Sequence, residues 1–185
     1  MKRADSPALH RRLVELLEER SIRRGHFVLA SGKESDFYVD ARLTTLHAEG
    51  AAIIAALVLD RLEPHVVGIG GPVTGADPIV GAVVAQSWHR GRPVHGFMVR
   101  KEPKGHGLGQ WLEGRGNLPN GAAVCLVEDT VTTGGSLLRA IERVQEAGLD
   151  VVQVIAVVDR QEGAAERIAA AGLALEALVT RDELG

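Results

Sequence analysis

Val124-Cys-Leu-Val-Glu-Asp-Thr-Val-Thr-Thr-Gly-Gly-Ser136 is the stretch on which the fold turns. Its four apolar residues, Val124 to Val127, are too few for a helix and read as a buried strand. Glu128 and Asp129 stand where that strand is expected to end. Thr130, Val131, Thr132, Thr133, Gly134, Gly135 and Ser136 then form a turn rich in hydroxyls and glycine, and Leu137, Leu138, Ile141 and Val144 mark an amphipathic helix. A strand, such a turn and a helix N-terminus make an anion cradle, because free N–H groups and the positive end of the helix dipole converge on one spot. Gly134 and Gly135 permit close backbone approach or positive φ. The run is not a P-loop: G-x-x-x-x-G-K-[ST] requires a lysine that is absent, and two carboxylates lie just upstream. Carboxylates repel phosphate but accept hydrogen bonds from sugar hydroxyls, so a ribose 5-phosphate suits both halves. A plain strand-turn-helix crossover explains the glycines but not two acids beside four hydroxyl residues.

Outward from this stretch, strands alternate with helices. Strands are predicted at Val66–Ile69, Val94–Val99, 122–127, 151–158 and 174–179. Helices are predicted at about 48–62, 79–88, 135–147 and 163–171. The alternation implies an α/β fold with a parallel sheet, right-handed crossovers and flanking helices. Ligands bind such sheets at the carboxyl ends of strands, where Gly70–Pro78, Glu128–Ser136 and Asp159-Arg160 fall. Ahead of the sheet, Ser6-Pro7 caps a helix with Leu9, Leu13, Leu16 and Leu17 on its apolar face, which Gly25 is expected to end. Phe27–Leu29 and Phe37–Val39 read as a hairpin turning at Ser31-Gly32-Lys33. Residues 1–185 are expected to be one domain, with a hood at 1–45 and a core at 46–185.

Composition bounds the function. Hydrophobic residues are 45%, charged residues 24% and aromatics 3%, which fits a globular chain with an aliphatic core. A net charge of −3 argues against a general nucleic-acid role. The single cysteine, Cys125, lies in the apolar strand, so no internal disulfide is possible; this fits a reducing cytoplasm. The charged N-terminal stretch predicts no signal peptide, and no run of apolar residues is long enough for a membrane span. The histidines at 10, 26, 47, 65, 89 and 95 are scattered without metal-ligand spacing.

Arg100-Lys101-Glu-Pro-Lys104-Gly-His106-Gly opens a long segment, running to Gly116, that is rich in basic residues and glycine. A long loop inside a compact domain is usually functional or disordered, and a basic, glycine-hinged one suits a flexible lid over an anionic ligand. The plainer alternative is a solvated surface loop.

The 124–136 run resembles the phosphoribosyl-diphosphate (PRPP) signature of type I phosphoribosyltransferases. Three further segments resemble the orotate phosphoribosyltransferase family: the R-K-E-P-K-G-H-G run at 100–107 resembles its catalytic loop, Ser31–Asp40 its base-side hairpin, and Asp159-Arg160 its D-R pair. The resemblance spans nearly the whole chain and implies a type I phosphoribosyltransferase-like sheet with a small N-terminal hairpin and helix hood. It implies transfer of the 5-phosphoribosyl group from PRPP to orotate, giving orotidine 5-phosphate and diphosphate, a step of pyrimidine biosynthesis. Another base, or a catalytically inactive PRPP-sensing regulator, is the alternative; Lys104 and His106 favour the enzyme.

By the same resemblance, Glu128 and Asp129 hold the ribose hydroxyls, and Thr130, Val131, Thr132, Thr133, Gly134, Gly135 and Ser136 cradle the 5-phosphate. Arg100, Lys101, Lys104 and His106 contact PRPP or diphosphate. Thr132 and Arg160 contact orotate. Lys104, His106 and Asp129 are the implied catalytic residues. Mg²⁺ is implied as a cofactor carried by PRPP, with no direct protein ligand. A cytoplasmic homodimer with shared active sites is implied, with no nucleic-acid or membrane partner. Two positions depart from the pattern of many family members: Ala30 replaces a lysine before the Ser-Gly of the hairpin, and Thr74 or Gly75 replaces a lysine in G-P-x-x-K-G.

Overall fold

The computed structural model describes residues 6–28, 34–103 and 111–185. The first helix, α1 (Ser6–Arg20), packs Leu13, Leu16 and Leu17 inward. It stops at Arg20 rather than at Gly25. Gly25, at φ 146, lies instead within β1 (Ile22–Val28), at the irregularity where the register shifts between Arg24 and Phe27. That strand pairs antiparallel with β2 (Glu34–Val39), so the expected hairpin is present, with β1 beginning earlier than the apolar residues suggested. A short helix, α2 (Arg42–Thr45), and α3 (Ala48–Arg61) follow.

The main sheet is built from β3 (Gly68–Pro72), β4 (His95–Val99), β5 (Leu112–Glu113), β6 (Ala123–Val131), β7 (Asp150–Asp159) and β8 (Leu175–Thr180). Their order across the sheet is β5-β4-β3-β6-β7-β8. All neighbours are parallel except β4 and β5. Helices α4 (Asp77–His89), α5 (Gly135–Glu146) and α6 (Ala164–Ala170) are the crossovers. Chain order runs outward from β3 to β4 and then resumes on the other side of β3 at β6. The β3–β6 seam is therefore the switch point at which connections leave for opposite faces, and in open sheets that crevice takes the ligand.

Strand periodicity assigns the two cores. Cys125, Val127, Ile155 and Val157 pack with α1, α3 and α4, whereas Val124, Leu126, Val154 and Ala156 pack with α5 and α6. Each fully buried aliphatic side chain contributes roughly 1.5–3 kcal/mol. Among the described residues no helix is long and apolar enough to cross a membrane.

Three boundaries differ from expectation for one reason, tertiary context. The strand predicted at 66–69 runs instead from Gly68 to Pro72. The glycines that read as a turn are required inside it: a Cβ at Gly70 would enter the Phe97 ring, and one at Gly71 would enter the Val127 carbonyl. The strand predicted to end at Val127 continues to Val131, so Glu128 and Asp129 are strand residues. Part of the long 100–116 segment is also ordered: Leu112 and Glu113 pair with Val99 and Met98.

Candidate active site

The side-chain alternation of β6 carries past its apolar run. Glu128 is in register with Ala156 and shares the α5 face, while Asp129 points to the face that holds α4. The acid pair thus straddles the sheet at the β3–β6 seam. A cavity of about 570 Å³ opens there, lined by Glu128, Asp129, Ser136, Pro72–Gly75, Arg100 and Lys101, among others. The sequence reading brought the acids, Ser136, Arg100 and Lys101 to one site, and the structure gathers them around this one cavity.

Glu128 is only 9% exposed. The Ser136 hydroxyl donates to both of its oxygens, at 2.8 and 2.9 Å. Burial pushes its pKa up to about 7, with neighbouring Asp129 adding to the rise and the Ser136 bond and Arg139 opposing it. Ser136, expected at the phosphate, is therefore tied to the acid it follows by eight residues. Asp129 is also raised by burial, against a bond of 2.7 Å from the Thr130 N–H and the charge of Arg42. Gly75 explains itself by proximity: a Cβ there would lie 2.5 Å from Asp129 Oδ1, so the loop after β3 approaches the acid only without a side chain.

A short turn joins β6 to α5. Gly134 caps α5 at φ 74, in the left-handed region, and brings no side chain of its own to the helix N-terminus. The first N–H groups of a helix have no intrahelical partner. From outside, Arg167 Nη1 donates to the Thr133 carbonyl at 2.9 Å, which pins the turn to α6. Thr130 contributes a buried hydroxyl with no hydrogen-bond partner among the described residues, and Val131 turns its side chain into the core.

The base-side residues stand apart from the cavity lining. Arg160 is 7% exposed; its Nη2 pairs with Glu162 at 2.8 Å, and its buried Nε has no partner among the described residues. Thr132 is half-buried in the turn. Lys104 and His106 lie outside the described residues, as does Ala30. The stem of their segment is described: the Arg100 N–H donates to the Trp111 carbonyl at 2.9 Å, and Arg100 Nη1 pairs with Glu113 at 2.9 Å.

Sequence reasoning missed part of the wall. Arg42, Trp111, Arg139 and Arg143 also line the cavity. Arg42 is held by Asp40 at 2.9 Å. Arg143 lies 4.1 Å from the centroid of the Trp111 ring. Only Arg139 left a local signal, its position one helical turn after Ser136.

The phosphoribosyl transferase domain model matches residues 42–172. An orotate phosphoribosyltransferase of Sorangium cellulosum is 46% identical over 172 residues, covering 92% of this chain and 90% of the relative. One of Rhodopirellula baltica is 43% identical over 180 residues, covering 94% of this chain and 92% of its own. The crystal structure of the Mycobacterium tuberculosis orotate phosphoribosyltransferase in complex with PRPP superposes with a TM-score of 0.78 at 37% identity, covering 96% of this chain and 99% of the other. With the acid pair, Ser136 and the cationic wall around one switch-point cavity, these similarities place the chain plainly: it belongs to the orotate phosphoribosyltransferase family.

Proposed function

We propose that Glu128, Asp129 and the 130–136 turn bind PRPP in the switch-point cavity while this chain transfers its phosphoribosyl group to orotate, giving orotidine 5-phosphate and diphosphate. The observation that carries the reading is the convergence of buried Glu128, half-buried Asp129 and Ser136, from the first turn of α5, on one cavity rimmed by Arg100 and Lys101.

The chemistry needs no covalent intermediate. As the C1–diphosphate bond breaks, positive charge develops on the ribosyl ring and negative charge on the departing diphosphate. Glu128 and Asp129 accept hydrogen bonds from the ribose hydroxyls and face the developing cation. The 5-phosphate occupies the cradle, anchoring the ring while C1 moves between partners. Arg100 and Lys101 stabilise the leaving diphosphate, and preorganised charges of this kind are usually the largest contribution to such catalysis. Lys104 stabilises the same group electrostatically, and His106 donates the proton it takes up. Thr132 and Arg160 hold orotate. The Nε of Arg160, a donor without a partner among the described residues, supports its pairing with an anionic base.

Two carboxylates on one cavity also fit a divalent cation. Glu128 and Asp129 are the residues that would lie nearest Mg²⁺ carried on PRPP. When bound with PRPP, the ion would supply charge neutralisation on the diphosphate. We read residues 1–185 as one domain of a cytoplasmic homodimer with shared sites; exposed Leu46 (71%) and Trp88 (72%) offer apolar surface for such contact.

The test is a base panel. The protein is incubated with PRPP, Mg²⁺ and, separately, orotate, uracil, adenine, hypoxanthine and xanthine, and consumption of each base is followed. Orotate alone should be consumed; turnover of another base in its place would remove this reading.

A further inference from the structure

The cations on the cavity wall differ in what already holds them. Arg42 is paired with Asp40 at 2.9 Å and Arg100 with Glu113 at 2.9 Å. Arg143 is paired with Glu146 at 2.6 Å and stacked on Trp111. Arg139 lines the same cavity, is exposed, and makes no such ion pair among the described residues. It stands three residues after Ser136 and four after Gly135 on α5. A long helical side chain leans toward the helix N-terminus and covers the turn before its own Cα. Arg139 does so: its Nη1 lies 3.6 Å from the point at which Gly135 would carry a Cβ. Its charge also acts on Glu128, which lines the same cavity. The guanidinium thus lies near the first turn of the helix and within electrostatic reach of Glu128.

A phosphoryl group entering the cradle meets two carboxylates nearby. Like charges in a partly desolvated cavity disfavour it, and the helix terminus supplies only about half an elementary charge in return. An uncommitted guanidinium at that spot offers planar donors matched to a phosphoryl group. We infer that Arg139 is a ligand-binding and specificity-determining residue, which closes onto the 5-phosphate of a phosphoribosyl ligand and selects it over free diphosphate. The inference rests on the PRPP reading of the cavity, and deepens it by giving the α5 wall a ligand group of its own.

Titration calorimetry at fixed Mg²⁺ tests it, with PRPP, ribose 5-phosphate and inorganic diphosphate as separate ligands for the wild-type protein, Arg139→Ala and Arg139→Lys. Arg139→Ala should raise the Kd for PRPP and ribose 5-phosphate by roughly tenfold or more, the weight of one charge-assisted contact. Its Kd for diphosphate should stay within about twofold, and Arg139→Lys should recover part of the loss because it keeps the charge without the fork. If Arg139→Ala binds ribose 5-phosphate as the wild type does, Arg139 has no such role, and the PRPP reading stands. If diphosphate weakens and ribose 5-phosphate does not, the assignment to the 5-phosphate is wrong. If the wild type binds neither PRPP nor ribose 5-phosphate, the reading of the cavity falls, and Arg139 with it. Because Arg139 is exposed, both variants should keep the wild-type unfolding temperature.

Discussion

Replacing Glu128 by glutamine should make the protein more stable, and increasingly so as pH rises. Glu128 is buried at the seam, and its pKa is pushed from an ordinary 4.5 to about 7. A carboxyl raised in the fold is held in its neutral form. It leaves stability intact below about pH 4.5 and removes it as pH climbs through the window to about 7, after which the loss is constant. At 1.36 kcal/mol per pKa unit, the full loss is about 3 kcal/mol. Between pH 5.5 and pH 8 the two-state linkage expression assigns about 2 kcal/mol of it. The substituted amide cannot ionise, and its oxygen still accepts from Ser136. Urea unfolding of both proteins at the two pH values isolates the effect, since groups common to both cancel in the difference. The stability gap in favour of Glu128→Gln should widen by about 2 kcal/mol on going from pH 5.5 to pH 8. A gap that stays constant or narrows would refute the buried, proton-holding carboxyl, and with it the picture of an acid waiting for a hydroxyl or cationic partner. The same substitution should weaken PRPP turnover, because an amide faces a developing cation less well than a carboxylate.

Gly71→Ala should be destabilising, because its Cβ would meet the Val127 carbonyl within a paired strand and the Ala76 Cβ at 2.6 Å. Overpacking of this kind costs about 1–3 kcal/mol, read as a fall in Tm of roughly 2–10 °C for a chain of this size. Gly116→Ala, with nothing within 4 Å of its Cβ, should leave Tm unchanged, and equal melting of the two variants would contradict the crowding at β3. Lys104→Ala should lower orotate turnover sharply while thermal unfolding stays as in the wild type. A rate within about twofold of wild type would remove the basic segment from the chemistry, since an electrostatic group at the reacting phosphate is worth orders of magnitude.

The fold was legible wherever periodicity and crossover logic suffice. The helices near 48–61 and 135–146 and the strands near 150–159 and 175–180 follow from apolar spacing alone. What failed is what depends on a neighbour's position. Gly70 and Gly71 read as a turn because glycine is flexible in isolation; they sit in a strand because Phe97 and Val127 leave no room for a Cβ. Gly25 reads as a helix stop, yet lies at the irregularity of β1. Glu128 and Asp129 read as residues beyond a strand because charges seldom extend one, and here the β6–β7 ladder continues through Val131. The acid pair and cradle could be read because they are contiguous in the chain. Arg42, Arg139, Arg143 and Trp111 could not be assembled in advance, since only the tertiary fold brings α2, α5, Arg100, Lys101 and Trp111 to one cavity.

Splitting the acids between two faces resolves the conflict with which the sequence begins. Adjacent carboxylates beside a phosphate cradle repel both each other and the ligand. Strand alternation sends Glu128 toward Ser136 and Arg139, and Asp129 toward Gly75 and Arg42, so each acid acquires its own cationic neighbour. Neither cation neutralises its acid by direct contact: Arg42 is bonded to Asp40, and Arg139 acts on Glu128 through its charge alone. Both carboxylates therefore stay under-compensated, which burial registers as raised proton affinity. On the proposed PRPP reading, a ligand with hydroxyl donors at the centre and a phosphate at one end would engage the acids and the turn together. A sugar without the phosphate would leave the cradle bare, and a phosphate without the hydroxyls would meet the acids unshielded. On that reading, selectivity would follow from this mutual dependence rather than from any one contact.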